Sequence, residues 1–287
     1  MCSLAAATRR RLRIFQRSVR TAALAPAGTG MLTYMGTSTK SRWFVGVSQP
    51  PAKGCVLYAF PHAGGGATTV RPLCVELTDT YDPFAVRLPG RESRLDDPLE
   101  TAMPALADKL VGELLRHARG RPVVLYGHCS GSVIAYEVAR RMDPAQVRGL
   151  AVSSHPAPGS FRREPTWHLP RREFLKQVVS DGYLPPEILG NDELLDIYEP
   201  AIRADYELIE THELELYESG TVARIAAPTV AVFGRDDPSI DPVHIDAWAG
   251  LTTGPFRAVS LAGGHNLLLH NVVELASAIR QGLLAAS

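Results

Sequence analysis

No apolar run in the 287 residues reaches the roughly eighteen positions that a membrane-spanning helix needs, because Arg, Asp, Gly or Pro interrupts every hydrophobic stretch. The sequence therefore predicts a protein without a membrane span. Net charge is also missing: thirty Lys and Arg offset thirty Asp and Glu. Without an overall field, neither nucleic acid nor an anionic membrane surface is an expected partner. Cysteine is scarce, and Cys2, Cys55, Cys74 and Cys129 form neither a C-x-x-C pair nor the His/Cys spacing of a zinc site. Such unpaired thiols fit a reducing, cytoplasmic setting. The glycine run Gly64-Gly65-Gly66 lacks both a G-K-[ST] ending and a G-x-G-x-x-G spacing, which argues against a phosphate loop. No cofactor is expected.

Carboxylates are absent before Glu76, while Arg9, Arg10, Arg11, Arg13, Arg17 and Arg20 crowd the first twenty positions. A signal or transit peptide is one reading, but Thr21–Gly30 makes a poor apolar segment. Residues 1–50 read better as a basic, disordered extension, or as chain lying upstream of a true start at Met31 or Met35. The remaining 51–287 suit a single domain.

Within that domain, short apolar runs alternate with amphipathic stretches, the pattern of a mostly parallel sheet with helices on both faces. The expected strands are Cys55–Phe60, Phe84–Leu88, Val123–Tyr126, Gly149–Ser153, Thr229–Phe233 and Arg257–Leu261. Apolar residues three and four apart predict helices over Leu73–Leu77, Met103–His117, Ser132–Arg141, Asp241–Ala249 and Val272–Leu284. Between about 155 and 222 the alternation lapses into proline-rich turns and helices around Phe174–Val179 and Leu194–Ile209, which predicts an inserted lid.

Gly127-His128-Cys129-Ser130-Gly131 joins an expected strand to an expected helix. This is the setting of a nucleophile elbow, a tight turn that holds its central residue in strained backbone angles and needs small flanking residues. Glycines two before and two after fit Cys129 as the centre and not Ser130. The following helix N-terminus favours negative charge, which suits a reactive thiolate. A base should follow late in the chain, and Gly263-Gly264-His265 after the last strand supplies it; His270 is a weaker rival. The orienting acid should follow the preceding strand, where Asp236 and Asp237 compete and Asp237 is favoured. Two backbone N–H groups would complete an oxyanion hole, one from Ser130 and one from Ala63.

Phe60-Pro61-His62-Ala63-Gly64-Gly65, Arg87-Leu88-Pro89-Gly90-Arg91-Glu92-Ser93-Arg94, the elbow and Gly264-His265 together resemble the type II thioesterases of polyketide and nonribosomal peptide synthesis. Ile202-Arg203-Ala204-Asp205-Tyr206 is similar to that family's lid segment. The resemblance implies an α/β-hydrolase fold, a monomer, and cleavage of acyl groups from the phosphopantetheine arm of an acyl or peptidyl carrier protein. It departs at the nucleophile, usually serine and here Cys129, which would leave a thioester acyl-enzyme able to pass its acyl group to another thiol or an amine. Hydrolysis, acyl transfer and a non-catalytic carrier-binding module are the three expectations to separate. Arg87, Arg91 and Arg94 read as a solvated loop or a contact for the carrier phosphate, and Trp167, Tyr183 and Tyr198 as lid packing or walls of an acyl pocket.

Overall fold

The computed structural model describes residues 41–47, 54–184 and 186–284, so the arginine-rich run, Met31 and Met35 lie outside the described residues. Strands β2 (Val56–Phe60) and β4 (Val123–His128) are buried at every position. The pleat sends alternate side chains to opposite faces. Val56, Tyr58 and Phe60 accordingly join one apolar cluster, while Leu57 and Ala59 join the other. An uninterrupted apolar strand requires cover on both sides. Helices α2 (Met103–Ala118) and α3 (Ser130–Ala139) supply it on the first face, and α1 (Ala67–Glu76) and α8 (Val272–Leu284) on the second.

The sheet is completed by β1 (Phe44–Gly46), β3 (Asp82–Val86), β5 (Val147–Ser153), β6 (Thr229–Gly234) and β7 (Phe256–Leu261), in the order β1-β3-β2-β4-β5-β6-β7. β1 pairs antiparallel with β3, and the other pairings are parallel. All parallel strands therefore point their carboxyl ends at one edge, where the loops after β2, β4, β6 and β7 meet. This is an α/β-hydrolase fold.

β1 falls inside the segment that composition assigns to the extension. Three residues are too few to display strand periodicity; the pairing Phe44↔Val86 and the burial of Phe44 against Tyr58, ring centroids 4.8 Å apart, hold it in the sheet. The folded unit thus begins before residue 51.

Between β5 and β6 lie two lid helices, α4 (Arg171–Ser180) and α5 (Asp192–Ser219). α5 runs well beyond the expected Leu194–Ile209, because Asn191 caps its start by accepting the Leu194 N–H at 3.1 Å and no glycine ends it until Gly220, at φ +61°. The lid has its own apolar cluster, built on Phe174, Leu175, Val178, Leu195, Ile202 and Tyr206, and Ala63 from the loop after β2 packs into it. Short helices α6 (Pro242–Asp246) and α7 (Leu267–His270) flank the last strand. Among the described residues no helix is long and apolar enough to cross a membrane, and no three His, Cys, Asp or Glu side chains cluster as metal ligands.

Candidate active site

Cys129 stands between the last residue of β4 and the first of α3, at φ +51° and ψ −126°. Such angles are costly for a non-glycine residue, so the surroundings must hold it there. A Cβ on Gly127 would run into the backbone of Gly131, and one on Gly131 would lie 2.5 Å from the Phe60 and Pro61 carbonyl oxygens. Both glycines are thus required by close backbone approach. The Cys129 N–H donates to the Ser153 carbonyl at 2.7 Å, fastening the turn to β5.

Asp237 and His265 come from the loops after β6 and β7. The His265 Nδ1–H donates to Asp237 Oδ2 at 2.7 Å. The other carboxylate oxygen accepts the Ser239 hydroxyl at 2.6 Å and the Ser239 N–H at 3.0 Å. Asp236 is turned away from the imidazole; its side chain accepts the Gly263 N–H at 3.0 Å and steadies the histidine loop. Ser154, itself at φ +52°, donates to the His265 carbonyl at 2.8 Å. The structure therefore separates two acids that spacing leaves in competition, and leaves His270 exposed at the end of α7.

Electrostatics sort the imidazoles. Burial lowers the proton affinity of His62, drives that of His128 well below the ordinary range, and brings His155 down to about 4. Burial opposes protonation of His265 as well, but the hydrogen bond to Asp237 and the neighbouring Cys129 sulfur outweigh it and push His265 up to about 10. Its Nε2 is buried and has no hydrogen-bond partner among the described residues. Desolvation likewise disfavours the Asp237 anion, yet the His265 and Ser239 hydrogen bonds hold its carboxyl below the usual range.

Several participants carry no motif. Tyr183, just beyond α4, hydrogen-bonds the Cys129 sulfur, lies nearly parallel to the His62 ring at 5.6 Å and meets the His265 ring edge-on at 5.7 Å. It is therefore a wall of the site as well as a packing residue. Arg91 and Arg94 are not solvated: each is 6% exposed. Arg91 makes a bidentate pair with Asp205 of α5, at 2.6 and 2.8 Å, and the same carboxylate accepts the Gly64 N–H at 2.7 Å. Arg94 donates to Asp97 at 2.8 Å and stacks over Trp43 at 3.7 Å. Two motifs that lie far apart in the sequence are one brace tying the loop after β2 to the lid. Ala63 and Ser130 both line a cavity beside Cys129, together with Tyr183 and Tyr206.

A cysteine on a strained strand-to-helix turn and an imidazole held by a carboxylate thus lie under a helical lid at the carboxyl edge of the sheet. Residues 56–283 match the thioesterase domain model, and the chain belongs to the thioesterase domain family. It is 30% identical over 247 residues to the "Probable cadicidin biosynthesis thioesterase" of Streptomyces griseus, spanning 85% of this chain and 67% of that protein. It is 32% identical over 242 residues to the AMB antimetabolite synthetase AmbE of Pseudomonas aeruginosa, spanning 83% of this chain but 11% of that much longer protein. Among solved structures, the type II thioesterase BorB from the borrelidin biosynthetic cluster superimposes with a TM-score of 0.70 at 32% identity, over 86% of this chain and 98% of that one.

Proposed function

We propose that this protein cleaves acyl thioesters carried on the phosphopantetheine arms of carrier proteins in natural-product biosynthesis, through an acyl-enzyme on Cys129. The observation that carries the proposal is the contrast among the imidazoles: His265, oriented by Asp237 at 2.7 Å, is raised to about 10, while His62, His128 and His155 are lowered. At neutral pH the His265 ring then carries a proton and stands beside the Cys129 sulfur as the acid for the leaving group. The sulfur attacks the thioester carbonyl, the bond from carbon to the carrier sulfur breaks, and the imidazolium gives its proton to the departing thiolate. Ala63 and Ser130 N–H groups receive the oxyanion. In the second half, neutral His265 takes a proton from the attacking water, the carbon–Cys129 bond breaks, and the ring is again protonated.

Acyl transfer to a second thiol or an amine is the alternative that the sulfur itself favours. The acyl-enzyme is a thioester like the substrate, so loading is close to thermoneutral and an external thiol can compete with water. Incubation with an acyl-carrier protein, followed by mass analysis of the carrier with and without added thiol, separates the two. Free acid appearing at the same rate in both supports hydrolysis; acylated thiol replacing free acid supports transfer. Intact acyl-carrier under both conditions contradicts catalysis and leaves only a binding role.

A further inference from the structure

The cavity beside Cys129 measures about 30 Å³, room for about two water molecules. An acyl group, its carbonyl and the sulfur it arrives on need several times that space. The nucleophile is withdrawn as well: Cys129 is 4% exposed, and His265 Nε2 is buried without a hydrogen-bond partner among the described residues. A lid residue stands on the sulfur itself. The Tyr183 hydroxyl hydrogen-bonds Cys129 Sγ, the atom that must meet the thioester carbonyl carbon. Its ring is held by three others, nearly parallel to His62 at 5.6 Å and edge-on to His265 at 5.7 Å and to Tyr206 at 6.0 Å. Burial, with Cys129 next, keeps the Tyr183 phenol well above its ordinary range, so the hydroxyl retains its proton and donates it to the sulfur.

The end of α4 sets where that ring goes. Gly182 takes φ +82°, its N–H donates to the Val179 carbonyl at 3.0 Å, and the Tyr183 N–H donates to the Val178 carbonyl at 3.1 Å, the paired bonds of a Schellman ending. Asp181 accepts Tyr206 Oη at 2.6 Å, Gln177 at 2.8 Å and Arg163 at 3.3 Å, which ties the same turn to α5 and to the loop after β5. Tyr183 is thus fixed to the lid by its backbone and to the nucleophile by its hydroxyl. We infer that Tyr183 latches the lid onto the free nucleophile: its hydrogen bond to the Cys129 sulfur holds the site shut until an arriving thioester displaces the hydroxyl. Once acylated, the sulfur is bonded to two carbons and accepts hydrogen bonds poorly, so the latch stays undone while the acyl acceptor enters. Closure is in this way tied to the chemical state of one atom. Such a shield suits sulfur, which reacts with passing electrophiles and oxidants. The opening step rests on the acyl-enzyme proposed above; closure over the free sulfur does not.

Hydrogen exchange at the Asp181, Gly182 and Tyr183 amides reads the latch directly. Cys129→Ala removes the acceptor without adding bulk, so these amides should exchange about tenfold faster than in the wild type, the worth of one hydrogen bond. Equal rates would overturn the latch and leave a lid held by packing alone. Tyr183→Phe keeps the ring and removes the donor. Iodoacetamide, whose methylene carbon bonds to the sulfur as iodide leaves, should then label Cys129 about tenfold faster at neutral pH, as read by peptide mapping. Labelling no faster than in the wild type, in a variant folded by circular dichroism, would overturn the latch too. Should Tyr183→Phe not fold, the Cys129→Ala comparison decides alone. Neither readout uses turnover: a failure to cleave acyl-carrier would strike the thioesterase role, and unchanged exchange in an active enzyme would strike only the latch.

Discussion

At the scale of single residues, one proton and one sulfur set the chemistry. Asp237 is the main reason that His265 stays protonated against the cost of burial. Asp237→Asn keeps the shape and removes the anion, so the ring's proton affinity falls. The alkaline limb of kcat/KM should move down by about one pH unit or more, with a rate loss of roughly ten- to a hundredfold, since a thiol depends less on its third partner than a hydroxyl does. An unmoved limb in a pH–rate profile would mean that Asp237 does not act through the ring. Cys129→Ser changes the energetics differently. Serine would form an oxoester, lower in energy than the thioester it came from, so the acyl group should persist on the protein or leave to water, and transfer to thiols should cease. Unchanged thiol transfer by the serine variant would show that the sulfur is incidental.

At the scale of elements, the site depends on how tightly backbone segments approach one another. Gly131→Ala places a methyl 2.5 Å from two carbonyl oxygens of the loop after β2, so α3 or that loop must shift; expression should yield little folded protein by circular dichroism. The Arg91–Asp205 pair, with side chains 7% and 6% exposed, ties the loop after β3 to α5, and Asp205 also accepts the Gly64 N–H of the loop after β2. Asp205→Ala leaves a buried guanidinium and the Gly64 N–H without their acceptor, at a cost of about 3–5 kcal/mol in urea unfolding. Conversion of both partners to apolar residues should cost less than that single change. These elements differ in legibility. β2, β4 and the elbow are readable because a buried parallel strand is apolar throughout and a strained turn demands glycine at fixed offsets. Arg91 and Asp205 are 114 positions apart, and only docking of the lid brings them together, so composition alone makes Arg91 look like solvated charge. Ser239 escapes notice for the same reason, and the sequence gives Tyr183 a place in the lid but not its contact with the sulfur: each is one ordinary residue in a segment whose position over the sheet is tertiary. Asp237 is separable from Asp236 by its hydrogen bond and not by spacing.

At the scale of the whole molecule, stability should follow the charges at the sheet's carboxyl edge. His265 has a raised proton affinity in the folded state, so its contribution is complete below about pH 6.5 and is lost as pH climbs towards 10. Asp237, held low, contributes above the ordinary carboxylate range and loses its contribution as pH falls through its folded value. Thermal midpoints should therefore decline between neutrality and pH 10, and His265→Gln should flatten that decline; a slope unchanged in the variant would place the titration elsewhere. The amino-terminal edge matters as well. Removing the chain through Gly46 deletes β1 and bares the β3 edge, which should lower the thermal midpoint, whereas a midpoint equal to the full chain's would make β1 dispensable. Turnover by the proposed route requires a covalent bond to one sulfur. Intact-mass measurement after brief mixing with an acyl-carrier protein, followed by peptide mapping, should find the acyl mass on the peptide containing Cys129 in the wild type and no adduct in Cys129→Ala. An adduct that survives in the alanine variant, or full turnover without residue 129's thiol, would contradict it.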